Sequence, residues 1–546
     1  MENREAKMSR KQSFIKGATI LGLAGILIKV LGAAFKIPLF NLIGAEGSSY
    51  YNAPYPIYNW LLVVSTAGIP TAIARMIAEK EVEGDTHGIF RIISAIFKPM
   101  VLISVVIFAI LFFGAEGISN WVGIPSSKMA FRAMAPALLF VPAMSIFRGF
   151  FQGIQKLQGF AITQIVEQLF RVVIGLGLAY FLFGRGLEFS AAGASFGATA
   201  GAIIGFVVSF SIYKYIKKKE YTLVLQTPET HPKESTWEIL KQLFIISIPI
   251  TIGASIMPTM NSIDLMLVVR RLNDIGVANA ADLYGILTGF AVTIVNFPQI
   301  LTASLQISLV PAITQLFVIY KKSNDEDDKK HLSDTVNAGI KTALIIGIPC
   351  AIGLVTLAEP VMMLLFSKQP ESAVIGGEIL TILGWDLIFL AVFQATTGIL
   401  QGIKKQMLPA IHLAVGMVFK VVLTYVLVGM PEFGITGAAI STVVAFAVAS
   451  TLNVWSLTKE EYLNVNIFKL GIKPLISGLV MGAFVLVAYN PLNSILGAKL
   501  ATVVTISIAA VIYGGFIIFT KTLSHEEYDM LPGGSKLRKL AEKFGR

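Results

Sequence analysis

Fourteen apolar stretches, each long enough to cross a bilayer, succeed one another through this chain with little between them. Their limits fall near 16–40, 53–78, 92–113, 129–151, 159–183, 190–213, 241–268, 284–319, 337–358, 375–400, 407–429, 433–457, 470–489 and 498–520. A spanning helix needs about 20 predominantly apolar residues. The expected fold class is therefore an all-α polytopic membrane protein with fourteen transmembrane helices. Charged residues make up 14% of the chain, against about 25% in soluble domains. No loop is long enough to hold a soluble catalytic domain.

Lysine and arginine orient the spans. Short loops on the cytoplasmic side of a membrane carry an excess of both. With fourteen crossings, the N-terminus (Arg4 to Lys16), the loops at Lys214–Lys233, Lys321–Lys330, Lys404–Lys405 and Lys459–Lys473, and the C-terminal tail from Lys521 to Arg546 share one side. They hold roughly 25 bases against about six in the opposite loops. Both termini are expected to be cytoplasmic. This bias accounts for most of the net charge of +11, so no nucleic-acid partner is implied, while a basic rim suits anionic membrane lipids. The basic start and the apolar run Gly17–Ile28 imitate a signal peptide, but the apolar run resumes after Lys29, so no cleavage is expected. The single cysteine, Cys350, lies in an apolar span, and the histidines lack metal-ligand spacing. No metal and no cofactor are expected.

The chain repeats itself. QGIQK at 152–156 returns as QGIKK at 401–405, an offset of 249 that also carries Arg171 onto Lys420. Upstream, IPTAIARM at 69–76 resembles VPAITQL at 310–316, which would pair Pro70 with Pro311. An offset of six spans gives a parallel repeat, two halves entering the membrane from the same side. The expected organisation is an N-terminal lobe over 1–232, a C-terminal lobe over 233–459, and a terminal pair of spans with a basic cytoplasmic tail over 460–546. Gly193, Gly197, Gly201 and Gly205 form a ladder that reads as close helix packing.

Ionisable groups inside spans are costly and mark internal cavities. Lys29 and Lys36 lie two turns apart on one face of the first span. Arg75 and Glu79, and likewise Glu167 and Arg171, are spaced i,i+4, and each pair has a structural reading as an ion pair or a helix end. Arg132, Arg148 and Arg271 are expected to snorkel to an interface. Asp264 lies well inside the seventh span, Arg270 near its outer end, and Asp386 and Gln394 in the tenth. Lys420 lacks the acid that accompanies Arg171, because Gly416 stands where Glu167 maps. Bases thus exceed acids, and a cavity lined by such bases selects an anion, a phosphate above all. Asn52, Tyr55 and Asn59 add surfaces suited to sugars, with an interfacial aromatic belt as the alternative.

The segment KVLGAAFKIPLFNLIGAEGSSYYNAPYPIYNWLLVVSTAGIPTAIARMIAE, with QGIQK and QGIKKQMLPA, resembles the SpoVB/YtgP branch of bacterial polysaccharide exporters. That branch is similar to the MurJ lipid II flippases of the multidrug/oligosaccharidyl-lipid/polysaccharide (MOP) superfamily. The resemblance implies two lobes about a cationic cavity, alternating access, and an apolar groove at the last two spans for a polyprenyl tail. It places cavity bases on the first, second and seventh spans. Lys36 and Arg270 match; the second-span base falls on the apolar Trp60–Leu62, with Arg75 as a substitute. The family's first-span cluster of bases and acids is reduced here to lysine.

The function expected is a non-enzymatic flippase for a polyprenyl-pyrophosphate-linked cell-wall precursor, lipid II or a related glycolipid, in the bacterial cytoplasmic membrane. Its partners would be the lipid-linked oligosaccharide, membrane lipids and the cell-wall synthesis machinery; it would act as a monomer. Energy would come from the membrane potential or an ion gradient. The alternatives are a MATE-type drug/cation antiporter, which needs acids in the pocket, and a polyprenyl-sugar transferase, which needs clustered acids or a metal in an outer loop. The binding set expected is Lys36, Arg75, Arg270, Lys29 and Lys420, with Asn52, Tyr55, Asn59, Asp264 and Gln394 as polar lining. Glu167 and Arg171 are expected as a structural ion pair.

Overall fold

The computed structural model describes residues 2–229 and 231–522, with side chains from Ala24 onward except Ile26. The side chains of the N-terminal bases Arg4 to Lys16 and the tail bases Lys536 to Arg546 lie outside the described residues. Among the described residues there are helices and turns but no strand. The long helices are α1 (Glu2–Asn52), α2 (Pro54–Thr66), α3 (Ile69–Glu83), α4 (Thr86–Phe113), α5 (Ala137–Gly153), α6 (Leu157–Leu182), α7 (Leu187–Ile216), α8 (Thr236–Asp274), α9 (Val292–Ser323), α10 (Glu326–Thr356), α11 (Pro370–Leu383), α12 (Asp386–Gly402), α13 (Met407–Val428), α14 (Ile435–Thr458), α15 (Ile467–Leu496) and α16 (Ala498–Phe519).

Among the described residues twelve helices are long and apolar enough to cross a membrane, or thirteen when α11 and α12, bent by 47°, count as one span. The fourteen expected spans differ from this at one place. Residues Leu27–Glu83 form one 57-residue helical stretch. At 1.5 Å per residue it is about 85 Å long, against about 30 Å of hydrocarbon. It holds room for two crossings, broken at Gly44 (φ 67°) and at Ala53–Pro54. Elsewhere the polar punctuation acts as its chemistry dictates. Gly84, at φ 75°, ends α3 in the left-handed region, and the Asp85 carboxylate then caps α4 by accepting the Gly88 N–H at 2.7 Å.

The chain forms two compact units, Met1–Arg270 and Arg271–Arg546. In the first, Ile73, Met76 and Ile77 of α3 pack with Ile89 and Ile93 of α4 and with Phe147, Phe150 and Phe151 of α5. Most of α8 belongs here: a side-chain carbon at Gly68 would sit 2.2 Å from the Ser247 carbonyl oxygen, and the Trp60 indole donates to Thr259 at 3.0 Å.

The repeat is visible as matched local geometry within each unit. Gln155 and Lys404 both adopt left-handed backbone, at φ 57° and 64°, which is uncommon for residues with a side chain. The amides around them bond alike: Lys156 N–H to Phe151 O and Lys405 N–H to Leu400 O, both at 2.8 Å. Lys156 pairs with Glu220, and Lys405 with Glu460. Just upstream, a Cβ on Gly153 would meet Ile77 Cβ at 2.7 Å, and one on Gly402 would meet Ile313 Cβ at 2.7 Å. Likewise Gly149 rests on the Pro70 carbonyl and Gly398 on that of Gln306. These contacts correct one correspondence. Pro70 matches Gln306, not Pro311, a slip of five residues between apolar segments with few polar residues to fix the register.

Helix packing uses the glycine ladder as expected. Cβ atoms on Gly197 and Gly201 would lie 2.5 Å from the carbonyl oxygens of Arg171 and Glu167. The terminal pair docks on α10, where Gly478 faces Ile348 and Ile352 and the Tyr513 hydroxyl donates to Ile345 O at 3.0 Å. Its other face is apolar and exposed, at Leu486, Val487, Val511 and Phe519.

The ladder yields a direct test. Gly197→Leu forces a side chain into α6 backbone, which cannot move aside as a flexible side chain can, and should lower stability by roughly 1–3 kcal/mol or more. Gly177→Leu, at a position with nothing within 4 Å, should leave stability within about 0.5 kcal/mol of the parent. Thermal unfolding in detergent compares the two.

Candidate functional site

The interior charges of the first unit centre on Glu167. Its carboxylate is held by two guanidinium groups: Arg171, one turn on along α6, at 3.1 Å, and Arg148 of α5 at 2.8 Å. All three side chains are buried to 19% exposure or less. The Glu167–Arg171 pair is thus present but supplies two members of a triad. Arg148 does not snorkel; it also donates to Thr163 at 3.3 Å and lies 5.7 Å from the Phe160 ring. Sequence spacing reveals i,i+4 partners on one helix, whereas Arg148 comes from the preceding helix.

The triad is wrapped by aromatic hydroxyls. Tyr51, Tyr55 and Tyr58 all stand close enough to Arg171 to feel its charge. Tyr58 is 2% exposed, and among the described residues its hydroxyl finds no hydrogen-bond partner. The turn of α1 that carries Lys36 packs on the same stretch of α6, since Gly32 faces Gln168 and Phe35 faces Gly175. Lys36 is half-buried and Lys29 exposed. Two bases, Arg148 and Arg171, therefore share one acid, Glu167, and Lys36 stands on the helix turn that packs beside them.

The other expected residues are placed differently. Asn52 is buried but donates back to Ser48 O at 2.9 Å within its own helix. Tyr55 is exposed and Asn59 half-buried on α2. Arg75 is exposed midway along α3 and paired with Glu79 at 3.0 Å. Asp264 is half-buried, and Arg270 is exposed near the end of α8. Arg271 donates to Tyr425 O at 3.0 Å and lies over the Tyr425 ring.

The second unit solves the same charge problem with other residues. Lys420 is 7% exposed and Asp386, at the start of α12, 4%; the two interact electrostatically. The acid missing from α13 is thus supplied by α12. Gln394 is 8% exposed, and among the described residues its Oε1 finds no partner. Nearby, His412 Nδ1 lies 2.8 Å from Asn453 Oδ1, and Asn453 donates to Thr396 at 3.1 Å. This network was not anticipated, since His412 and Asn453 are far apart in sequence and each is isolated among apolar residues.

A family model described as polysaccharide biosynthesis protein matches residues 14–317, and a MatE model matches residues 249–426. The chain belongs to the polysaccharide biosynthesis protein family. It is 26% identical over 527 residues to the lipid II flippase MurJ of Bacillus subtilis (strain 168), covering 92% of this chain and 94% of that one. Stage V sporulation protein B of the same organism is 24% identical over 470 residues, covering 84% and 86%. Among solved structures, lipid II flippase MurJ in an inward closed conformation superposes with a TM-score of 0.70 at 18% identity, covering 92% of this chain and 99% of that one. An inward-facing multidrug resistance MATE family transporter gives 0.59 at 16% identity, covering 84% and 95%. The resemblance carried by the first two spans and the QGI turns holds: the protein is a multi-pass membrane transporter of the MOP superfamily, on its flippase branch, and not an enzyme.

The triad sets an order of stabilities. Glu167→Gln strands two buried guanidinium groups and should cost roughly 3–5 kcal/mol, the scale of a broken buried ion pair. Arg171→Gln leaves Glu167 paired with Arg148 and should cost clearly less. Unfolding of both variants, measured side by side in detergent, checks the order.

Proposed function

We propose that this protein flips a polyprenyl-pyrophosphate-linked cell-wall precursor, lipid II or a related glycolipid, across the bacterial cytoplasmic membrane by alternating access through a cationic cavity. One observation carries the reading: two buried guanidinium groups, Arg148 and Arg171, share the carboxylate of Glu167, and the helix turn that carries Lys36 packs on the same stretch of α6. Excess positive charge in a low-dielectric interior is relieved by an anion, and pyrophosphate supplies one with several acceptor oxygens. The tyrosine hydroxyls around Arg171 and the amide of Asn59 suit a sugar. The exposed apolar face of α15 and α16 suits the isoprenoid tail, each buried CH₂ contributing about 0.8 kcal/mol. Lys29, Arg75 and Arg270 would meet the substrate at the ends of its path. Lys420, held beside Asp386, would act on it indirectly.

In this reading both termini are cytoplasmic and the protein works as a monomer beside the cell-wall synthesis machinery. A membrane potential negative inside favours outward movement of an anion by about 2.3 kcal/mol per charge per 100 mV. An ion gradient is the other source of energy, and ionophores tell the two apart. A second reading, a drug/cation antiporter, is favoured by the MatE match over 249–426, but such a protein needs acids in excess where this one has bases.

Proteoliposomes loaded with fluorescent lipid II decide between them. Outward translocation should be seen and should be slowed by a teichoic-acid-type lipid precursor but not by an organic cation. Lys36→Gln, which removes charge and keeps most of the side chain, should slow it by about tenfold or more at equal protein level, as expected for a lost charge-assisted hydrogen bond. Translocation of neither lipid, with accumulation of an organic cation, would overturn the flippase reading.

A further inference from the structure

The connection between α14 and α15 forms one wall of an open pocket of about 740 Å³ in the second unit. Four lysines reach it from four separate elements: Lys321 from the end of α9, Lys329 from the start of α10, Lys405 from the turn before α13 and Lys459 after α14. The volume is that of a small-molecule site. It belongs to neither charge cluster described above.

Each wall is built. The left-handed residue Lys404 turns the chain so that Lys405 meets Glu460. The α14–α15 connection is pinned to α10: the Asn464 N–H donates to Ser333 Oγ at 3.0 Å, and Asn337 donates to Asn464 O at 2.9 Å. Tyr462, on this connection, packs 5.5 Å from Tyr320. The Lys321 ammonium lies 5.4 Å from the Tyr462 ring centre, and that of Lys459 lies 3.5 Å from the Trp455 ring centre. Aromatic faces hold an ammonium in place without neutralising it.

The charge balance favours an anion. Burial works against ionisation of Glu460, but hydrogen bonds from Lys405 and Tyr462 outweigh it and hold the carboxyl below the usual range. Glu460 is therefore ionised at neutral pH and balances Lys405. Lys329 pairs with Glu326 at 3.0 Å. Lys321 and Lys459 stand over their rings, Lys321 within electrostatic reach of Glu460, and with Glu326 counted the site sets four lysines against three glutamates. Beyond the rim at Leu408, α13 shows a stripe of exposed apolar residues, Met407, Ile411, Val418 and Val422, whose spacing keeps them on one helix face.

We propose that this pocket binds the phosphate of an anionic phospholipid whose acyl chains run along the apolar stripe of α13. Ammonium groups on flexible stems recognise phosphate as point charges. A soluble phosphate would use the same lysines but would have no use for the stripe. The lysines sit on the side that the loop bias assigns to the cytoplasm, where anionic headgroups are concentrated. The proposal stands apart from the transport reading, since its readout is lipid retention.

The test uses the full-length protein, purified from mixed phosphatidylcholine and phosphatidylglycerol and examined by native mass spectrometry. The parent should retain phosphatidylglycerol in preference to phosphatidylcholine. Lys321→Gln with Lys459→Gln should lower that preference roughly tenfold, while arginine at both positions should preserve it. Thermal unfolding in phosphatidylcholine alone, expected to be equal for all three proteins, shows that the glutamine variant is folded. Two results overturn the proposal: undiminished phosphatidylglycerol retention by the folded glutamine variant, or no preference in the parent. A third concerns the source. Inorganic pyrophosphate that stabilises lipid-free parent but not the glutamine variant, with no phosphatidylglycerol preference, would assign the pocket to a soluble anion and refute the lipid.

Discussion

A carboxylate taken out of water must be shared among cations, and Glu167 organises the interior of the first unit on that rule. Its two oxygens are divided between Arg148 and Arg171, which ties α5 to α6. The glycines of α7 then bring that helix against the carbonyls of Glu167 and Arg171 themselves. The desolvation cost of such a group is several kcal/mol, so neither helix can rotate about its axis without exposing a bare charge to hydrocarbon. The tyrosines and the Lys36 turn are positioned around this fixed point.

The second unit shows what happens when the same position loses its acid. Gly416 stands where Glu167 maps, and a Cβ there would lie 2.4 Å from the Ala445 carbonyl oxygen. Giving up the carboxylate lets α13 and α14 approach at that point. The charge of Lys420 is then met by Asp386 of α12. The two units thus share backbone geometry, down to the left-handed residues Gln155 and Lys404, while their interior charges are balanced by different chain positions. In one unit a carboxylate is shared between two guanidinium groups, and in the other Lys420 lies within electrostatic reach of Asp386.

Helix positions were legible in the sequence because hydrocarbon forces every backbone amide to be satisfied within its segment, leaving a long apolar signal. The QGI turns were legible because they carry polar residues in register. Other features were not. The Pro70 correspondence slipped by five residues because the apolar segments around it hold few polar residues to fix the register. Arg148 and Asp386 were seen as isolated charges, since partners on different helices leave no spacing to read. Arg75, expected as a cavity base or as half of a helix-end pair, stands in the middle of α3, exposed and paired with Glu79. Lys321, Lys405 and Lys459 were read only as part of an orienting rim, and the fold brings them into one pocket.

The account rests on the interior of the first unit being an anion site. Cys350 is the one cysteine of the chain, so a Cys350→Ser background permits a single reporter thiol. Asn59→Cys in that background leaves every base in place and can be labelled in membranes with a small positively charged thiosulfonate reagent. The account predicts that undecaprenyl pyrophosphate slows labelling while an organic cation of similar size does not. Protection by the cation, with none from the pyrophosphate lipid, would contradict it.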